Sequence, residues 1–268
     1  MKQLFVFLLV IIISSCDDGN VDIPEFNFSN NSINDCGELV LFKINENETL
    51  IIELNEDNTE NAFFTQVRDN ESFILTESGA QTITYRTFDD QPTTGYFCQN
   101  IPPTSPNIIN EWNGSGTLMV TTVMTEDDED TIDEDPNDNL DTDGDTFLNF
   151  KDWDDDNDGI LTKDEGATED TDNDGKLNYL DNDDDGDGVP TIEESITNDN
   201  DSDGIPDYLD ADTTQSDLRT LIDNQYQEIY DTSFIIDLLK LTNANGNTLQ
   251  FDTLDYGTTM KKVTKSGN

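Results

Sequence analysis

Short runs of alternating apolar and polar residues occupy both ends of this chain, and the long stretch between them has no apolar period. Glu38 to Ile44, Thr49 to Leu54, Ala62 to Val67, Ser72 to Thr76, Gln81 to Phe88 and Gly116 to Met124 are rich in β-branched and aromatic residues. Asn, Asp, Glu and Gly separate them, so each is predicted to be a strand. Ser233 to Leu241 and Thr248 to Leu254 predict two more strands, joined through Asn245-Gly246 as a hairpin. Leu218, Leu221, Ile222, Tyr226, Ile229 and Tyr230 recur at helical spacing, which predicts a short amphipathic helix before that hairpin. The expected class is mostly β. Two strands and a helix bury too little surface to fold alone, so residues 23–125 and 213–268 are read as two parts of one β-sandwich-like domain. The competing layout makes 213–268 a small separate C-terminal domain.

Composition explains the middle stretch. The chain of 268 residues has a formal net charge of −49, and 36 acidic residues against three lysines from Glu126 to Asp212 supply −33 of it. A charge run of this kind is ordinarily a solvated, disordered tail. Residues 126–138, which have acids without a motif, fit that description as an acidic linker. Residues 139–212 do not.

Five segments in 139–212 begin Asp-x-Asp-x-Asp, at Asp141, Asp154, Asp170, Asp183 and Asp199, with steps of 13, 16, 13 and 16 residues, so the true repeat is 29 residues. Calcium takes six to eight hard oxygen ligands, which requires carboxylates at loop positions 1, 3 and 5 to turn inward together. The candidate ligands at those positions are Asp141, Asp143, Asp145; Asp154, Asp156, Asp158; Asp170, Asp172, Asp174; Asp183, Asp185, Asp187; and Asp199, Asp201, Asp203. Glycine at position 6 permits the sharp reversal. Gly159, Gly175, Gly188 and Gly204 stand there, with Thr146 in the first loop. Position 7 offers a backbone carbonyl, from Ile160, Lys176, Val189 and Ile205. Position 12 closes the shell with Glu165 and Glu194, or with the shorter Asp152, Asp181 and Asp210. Asp152 stands two residues before Asp154, so it is placed to bridge two ions. The Glu-ended loops, Asp154 to Glu165 and Asp183 to Glu194, satisfy the whole D-x-[DN]-x-[DN]-G-x5-E pattern.

One residue separates Asp152 from Asp154, and Asp181 from Asp183, which leaves no room for the helices of an EF-hand. The segments D-T-D-N-D-G-K-L-N-Y-L-D at Asp170 to Asp181 and D-N-D-S-D-G-I-P-D-Y-L-D at Asp199 to Asp210 resemble thrombospondin type 3 repeats. That resemblance implies chain wrapped around a string of calcium ions with little regular secondary structure. It covers about a quarter of the protein and departs from the animal repeats in lacking cysteines.

The amino terminus addresses location. Lys2 precedes ten apolar residues, Leu4 to Ile13, too few to span a bilayer as a helix. This is the pattern of a secretory signal, and Ile13-Ser14-Ser15-Cys16 resembles the lipobox of bacterial lipoproteins. The resemblance implies a signal peptide over 1–15, lipidation of Cys16, a tether over 16–22 and an outer-membrane location. Asp17 and Asp18 resemble the surface-export signal of Bacteroidota lipoproteins. Cys36 and Cys98 then remain as an even pair in an oxidising setting and predict a disulfide; a loop of that length contributes roughly 4 kcal/mol. Two buried thiols are the other reading.

No histidine exists in the chain, which excludes His-based triads and His-ligated zinc. Ser78 lies in no nucleophile elbow, and no lysine follows Gly114-Ser115-Gly116 as a phosphate loop requires. An enzyme is not expected. The negative charge makes nucleic acid a poor partner. The expected function is a calcium-binding, lipid-anchored surface lipoprotein with a structural or adhesive role. The alternative is an accessory lipoprotein of a nutrient-uptake or secretion apparatus, binding glycan or peptide, with Tyr96, Phe97 and Trp112 as a conceivable platform.

Overall fold

A computed structural model describes residues 26–37, 39–54, 60–99, 101, 103–213 and 217–267. The expectations for residues 1–15 and 16–22, including lipidation of Cys16, lie outside them. The fold is mostly β. Strands β1 (Asn34–Cys36), β2 (Val40–Asn45), β3 (Glu48–Leu54), β4 (Arg68–Leu75), β5 (Gln81–Phe88), β6 (Ile108–Asp127), β7 (Gln225–Asn243) and β8 (Thr248–Ser266) form one antiparallel sheet. Its order is β1-β2-β3-β5-β6-β7-β8, and β4 pairs with β6 beyond the end of β5. Along its other edge β6 pairs with β7 from Trp112↔Asn243 to Asp127↔Gln227. Residues 225–266 are therefore hydrogen-bonded into the same sheet as residues 34–127, and the chain between β6 and β7 leaves and rejoins neighbouring strands.

The sheet curls until its ends face each other across one core. Tyr256 on β8 is fully buried and its hydroxyl donates to the carbonyls of Leu41 on β2 and Leu50 on β3, at 3.0 and 3.1 Å. Leu50, Ile52, Ile83, Tyr85, Trp112, Leu118, Phe234, Ile236 and Leu241 line this core. A smaller cluster on the outer face of β2 and β3 gathers Cys36, Phe42 and Ile51 with Phe97. Cys36 and Cys98 are joined as a disulfide, Cα to Cα 5.3 Å, which closes that outer cluster. Trp112 and Tyr96 are buried, so they pack the fold and offer no exposed platform.

Two expected elements are different in the structure. Ala62 to Val67 is no strand: α1 (Glu60–Phe64) lies there. Phe63 and Phe64 are both buried against the core, and consecutive side chains reach one surface on a helical turn but point to opposite faces of a strand. The helix expected through Leu218 to Tyr230 is absent. Residues 217–224 form neither helix nor strand, with Leu218 and Leu221 exposed, and Tyr226, Ile229 and Tyr230 belong to β7. On the strand Tyr226 and Tyr230 share one face and Ile229 takes the other, so the helical spacing is overridden by pairing with the two long neighbours.

β6, β7 and β8 run well past the core. Their outer ends, Val123 to Asp127, Gln225 to Asp231 and Met260 to Ser266, make a three-stranded ribbon that meets the acidic segment. Lys151 pairs with Glu126 at 3.2 Å, and Phe147 packs against Tyr226 with ring centroids 6.3 Å apart.

Candidate metal centre

The five acidic loops share one backbone. In each, the amide at position 9 donates to the carbonyl of the residue before the loop: Asn149 to Leu140, Thr162 to Trp153, Asn178 to Glu169, Thr191 to Asn182 and Asp207 to Asn198, at 2.8 to 3.0 Å. The side chain at position 9 reciprocates by accepting the amide of position 2. Asn149, Asn178 and Asp207 do this in the Asp-ended loops, and Thr162 and Thr191 in the Glu-ended ones. This pair of bonds ties each loop into a closed ring.

Within the ring the carboxylates organise the chain. The position 5 amide donates to the position 3 carboxylate, and the position 7 amide to the position 5 carboxylate, as in Asp158 to Asp156 at 3.1 Å and Ile160 to Asp158 at 2.7 Å. The same ladder recurs at Asp145 and Phe147, Asp174 and Lys176, Asp187 and Val189, and Asp203 and Ile205. It requires positive φ at positions 4 and 6. Position 4 is Gly144, Asn157, Asn173, Gly186 or Ser202, and position 6 is Thr146, Gly159, Gly175, Gly188 or Gly204. Thr146 takes φ +92°, so the first loop keeps the shared conformation without its glycine. At Gly186 space matters as well, because a Cβ would stand 2.6 Å from Asp172 Oδ2.

The carboxylate oxygens left over converge. Asp141, Asp143 and Asp145 offer atoms within 4.8 Å of one another, as do Asp154, Asp156 and Asp158, and Asp170, Asp172 and Asp174. Glu165 joins a group with Asp158 and Asp184, and Asp184 comes from the following loop. Asp152 lies among Asp145, Asp143 and Asp154, between the first two loops. Lys176 Nζ reaches Asp181 at 3.2 Å. Asp199, Asp201 and Asp203 are exposed, and Asp210 lies close enough to Asp185 to act on its charge.

These are buried acids without enough protein donors. Both carboxylate oxygens of Asp155, Glu165, Asp184 and Glu194 are sealed from solvent without a hydrogen-bond partner, and so is one oxygen each of Asp156, Asp158, Asp183, Asp185, Asp187 and Asp210. Burial, with repulsion from Asp158, Asp156 and Asp184, pushes Glu165 up to about 11. Burial likewise raises Asp184 to about 9, Glu194 to about 8 and Asp152 to about 7, each with like-charged neighbours adding to it. Asp156 and Asp158 shift upward for the same two reasons. Desolvating anions beside one another is costly unless a cation or protons neutralise them. Oxygen-only donors at this density fit a hard divalent cation, so the residues present suit a metal.

Comparison of the chain with models of known protein families, with curated proteins and with solved structures finds no match. The functional reading rests on these residues alone. No described helix is long and apolar enough to cross a membrane.

Several participants escape the loop motif. Asp155 and Asp184 occupy position 2, where the Asp-ended loops have Thr142, Thr171 and Asn200, and that alternation is visible in the 29-residue repeat. Arg219, in the irregular segment after the array, donates to the carbonyls of Gly159, Asp158 and Thr191, at 3.1, 2.9 and 2.7 Å. Asn224 donates to Lys151 O and accepts from the Trp153 amide. Residues 217–224 thus lace the Glu-ended loops back to the ribbon, a contact between distant parts of the chain with no local signature.

Proposed function

We propose that this protein is a calcium-binding, lipid-anchored surface lipoprotein in which cations stiffen an inserted array of thrombospondin type 3-like loops. The observation that carries the calcium reading is the convergence of Asp154, Asp156 and Asp158 in one loop and of Asp158, Glu165 and Asp184 across two, with the oxygens of Glu165 and Asp184 sealed and unpartnered. Calcium is favoured over magnesium because the ring presents many carboxylates in an irregular shell, whereas magnesium demands near-octahedral geometry and keeps several waters. Anchoring through Cys16 and display outside the cell follow from the lipobox-like and acidic signals at the amino terminus. A structural or adhesive role is the one such an anchored, ion-stiffened array serves, with an extracellular protein or glycan as its partner.

Calorimetry on the metal-stripped ectodomain tests the central part. About five calcium ions should bind, at roughly 0.1 to 1 mM as in extracellular modules, and more weakly at high salt. No calcium-dependent heat would end the reading.

A further inference from the structure

The acidic segment between β6 and the first loop has no calcium-loop motif, yet it is not a solvated linker. Asp128 and Asp130 are 4 % and 2 % exposed. Each keeps one carboxylate oxygen sealed and unpartnered. Asp155, 1 % exposed, has both oxygens sealed and unpartnered, and Asp128, Glu134 and Asp155 each offer an oxygen within 4.8 Å of the others. Among the described residues no lysine or arginine pairs with any of the four acids; the neighbouring cations are taken by Glu126 and Glu129.

The array contains an internal precedent. One 29-residue repeat later, Asp184 stands where Asp155 does, and its partners are Asp158 and Glu165 of the preceding Glu-ended loop. The segment before the array copies the inner part of such a loop. The Asp130 amide donates to Asp128 and the Ile132 amide to Asp130, at 3.0 and 2.8 Å, while Glu129 and Thr131 take the positive φ of positions 4 and 6. Glu134 then closes the group three residues earlier than a position 12 glutamate would. One repeat further on the position is Thr213, so the carboxylate contributed from the next unit is present twice and then stops.

We propose that Asp128, Asp130, Glu134 and Asp155 form an additional divalent-cation site at the junction of the sheet and the array. It lies outside the five loops and goes beyond the reading above, borrowing from them only Asp155. Its place gives it a role the loops lack. Asp128 directly follows β6, its carbonyl accepts the Trp153 indole at 2.6 Å, and its amide donates to Phe150 O. A cation here ties the exit of β6 to the first Glu-ended loop and sets the direction in which the array leaves the ribbon.

Flow dialysis with radioactive calcium counts the ions. The double variant Asp128→Asn with Glu134→Gln, outside every loop, should bind one ion fewer than the parent at saturation and keep the rest. Asp155→Asn should lose one ion too, and combining all three changes should still lose only one, because they dismantle the same site. Retention of the other ions and of the β-sheet circular dichroism signal would show that the variants fold. A full count in the double variant would overturn the proposal while leaving the loops intact, the four acids then holding protons in place of a cation. A parent that binds no calcium would overturn both readings.

Discussion

The sheet and the array bury opposite kinds of residue. From Leu41 to Trp112 and again from Phe234 to Tyr256 the interior is mainly apolar, closed by the Tyr256 hydroxyl and the Cys36 to Cys98 bridge. Between Asp128 and Thr213, every buried residue among those described is polar, and most are aspartates. Apolar burial is indifferent to ions, whereas buried like charges are tolerated only when something neutralises them. One chain therefore carries a part whose stability is intrinsic and a part whose stability depends on its solution. The ribbon of β6, β7 and β8 is where they meet.

The comparison breaks most visibly at the sheet core. Phe234 is fully buried and packs near Phe64 and Tyr256. Phe234→Ala should cost about 3 to 5 kcal/mol in urea unfolding followed by circular dichroism, by the same amount with calcium or with chelator. A calcium-dependent penalty would mean that the two parts do not fold on separate terms.

Acidity should act on the array and leave the sheet alone. Glu165 at about 11, Asp184 at about 9 and Glu194 at about 8 sit above the usual range of roughly 4. In calcium-free buffer the folded array then holds protons that the unfolded chain releases, so its stability is fully present below about pH 4 and declines as pH rises toward the folded values. Calcium competes with those protons and reverses the trend. Scattering in calcium-free buffer should show the array expanding from pH 4 to pH 8, and equal dimensions at both would count against the burial of these acids.

A smaller effect is expected at the first loop. Thr146 is β-branched at φ +92°, a conformation that costs on the order of 1 to 3 kcal/mol for such a residue. Thr146→Gly should tighten calcium binding at this loop by about tenfold, in line with about 1.4 kcal/mol. An unchanged isotherm would show that the strain is absent.

Much of this was legible in the chain. The five loops follow from carboxylate phase and the position of glycine, because a cation imposes a short local spacing. Gln81 to Phe88 matches β5 residue for residue, and the disulfide follows from an even pair of cysteines. What was not legible has a common cause. The true lengths of β6, β7 and β8 depend on pairing with each other, since their outer ends, including Lys261, Lys262 and Lys265, have no apolar run. Asp128 and Glu134 carry no motif, because their site is completed by Asp155 from another segment. Arg219 carries no local signal, because its partners are carbonyls of residues far away in sequence.

The measurement that bears most directly on the account combines X-ray scattering and circular dichroism on the lipid-free ectodomain at neutral pH, with calcium and then with EGTA. Chelation should increase the maximum dimension, as the acids from Asp141 to Asp210 repel one another, while the sheet signal persists on its apolar core. An unchanged dimension would contradict the dependence of the array on cations, and loss of the sheet signal would contradict the independence of the sheet.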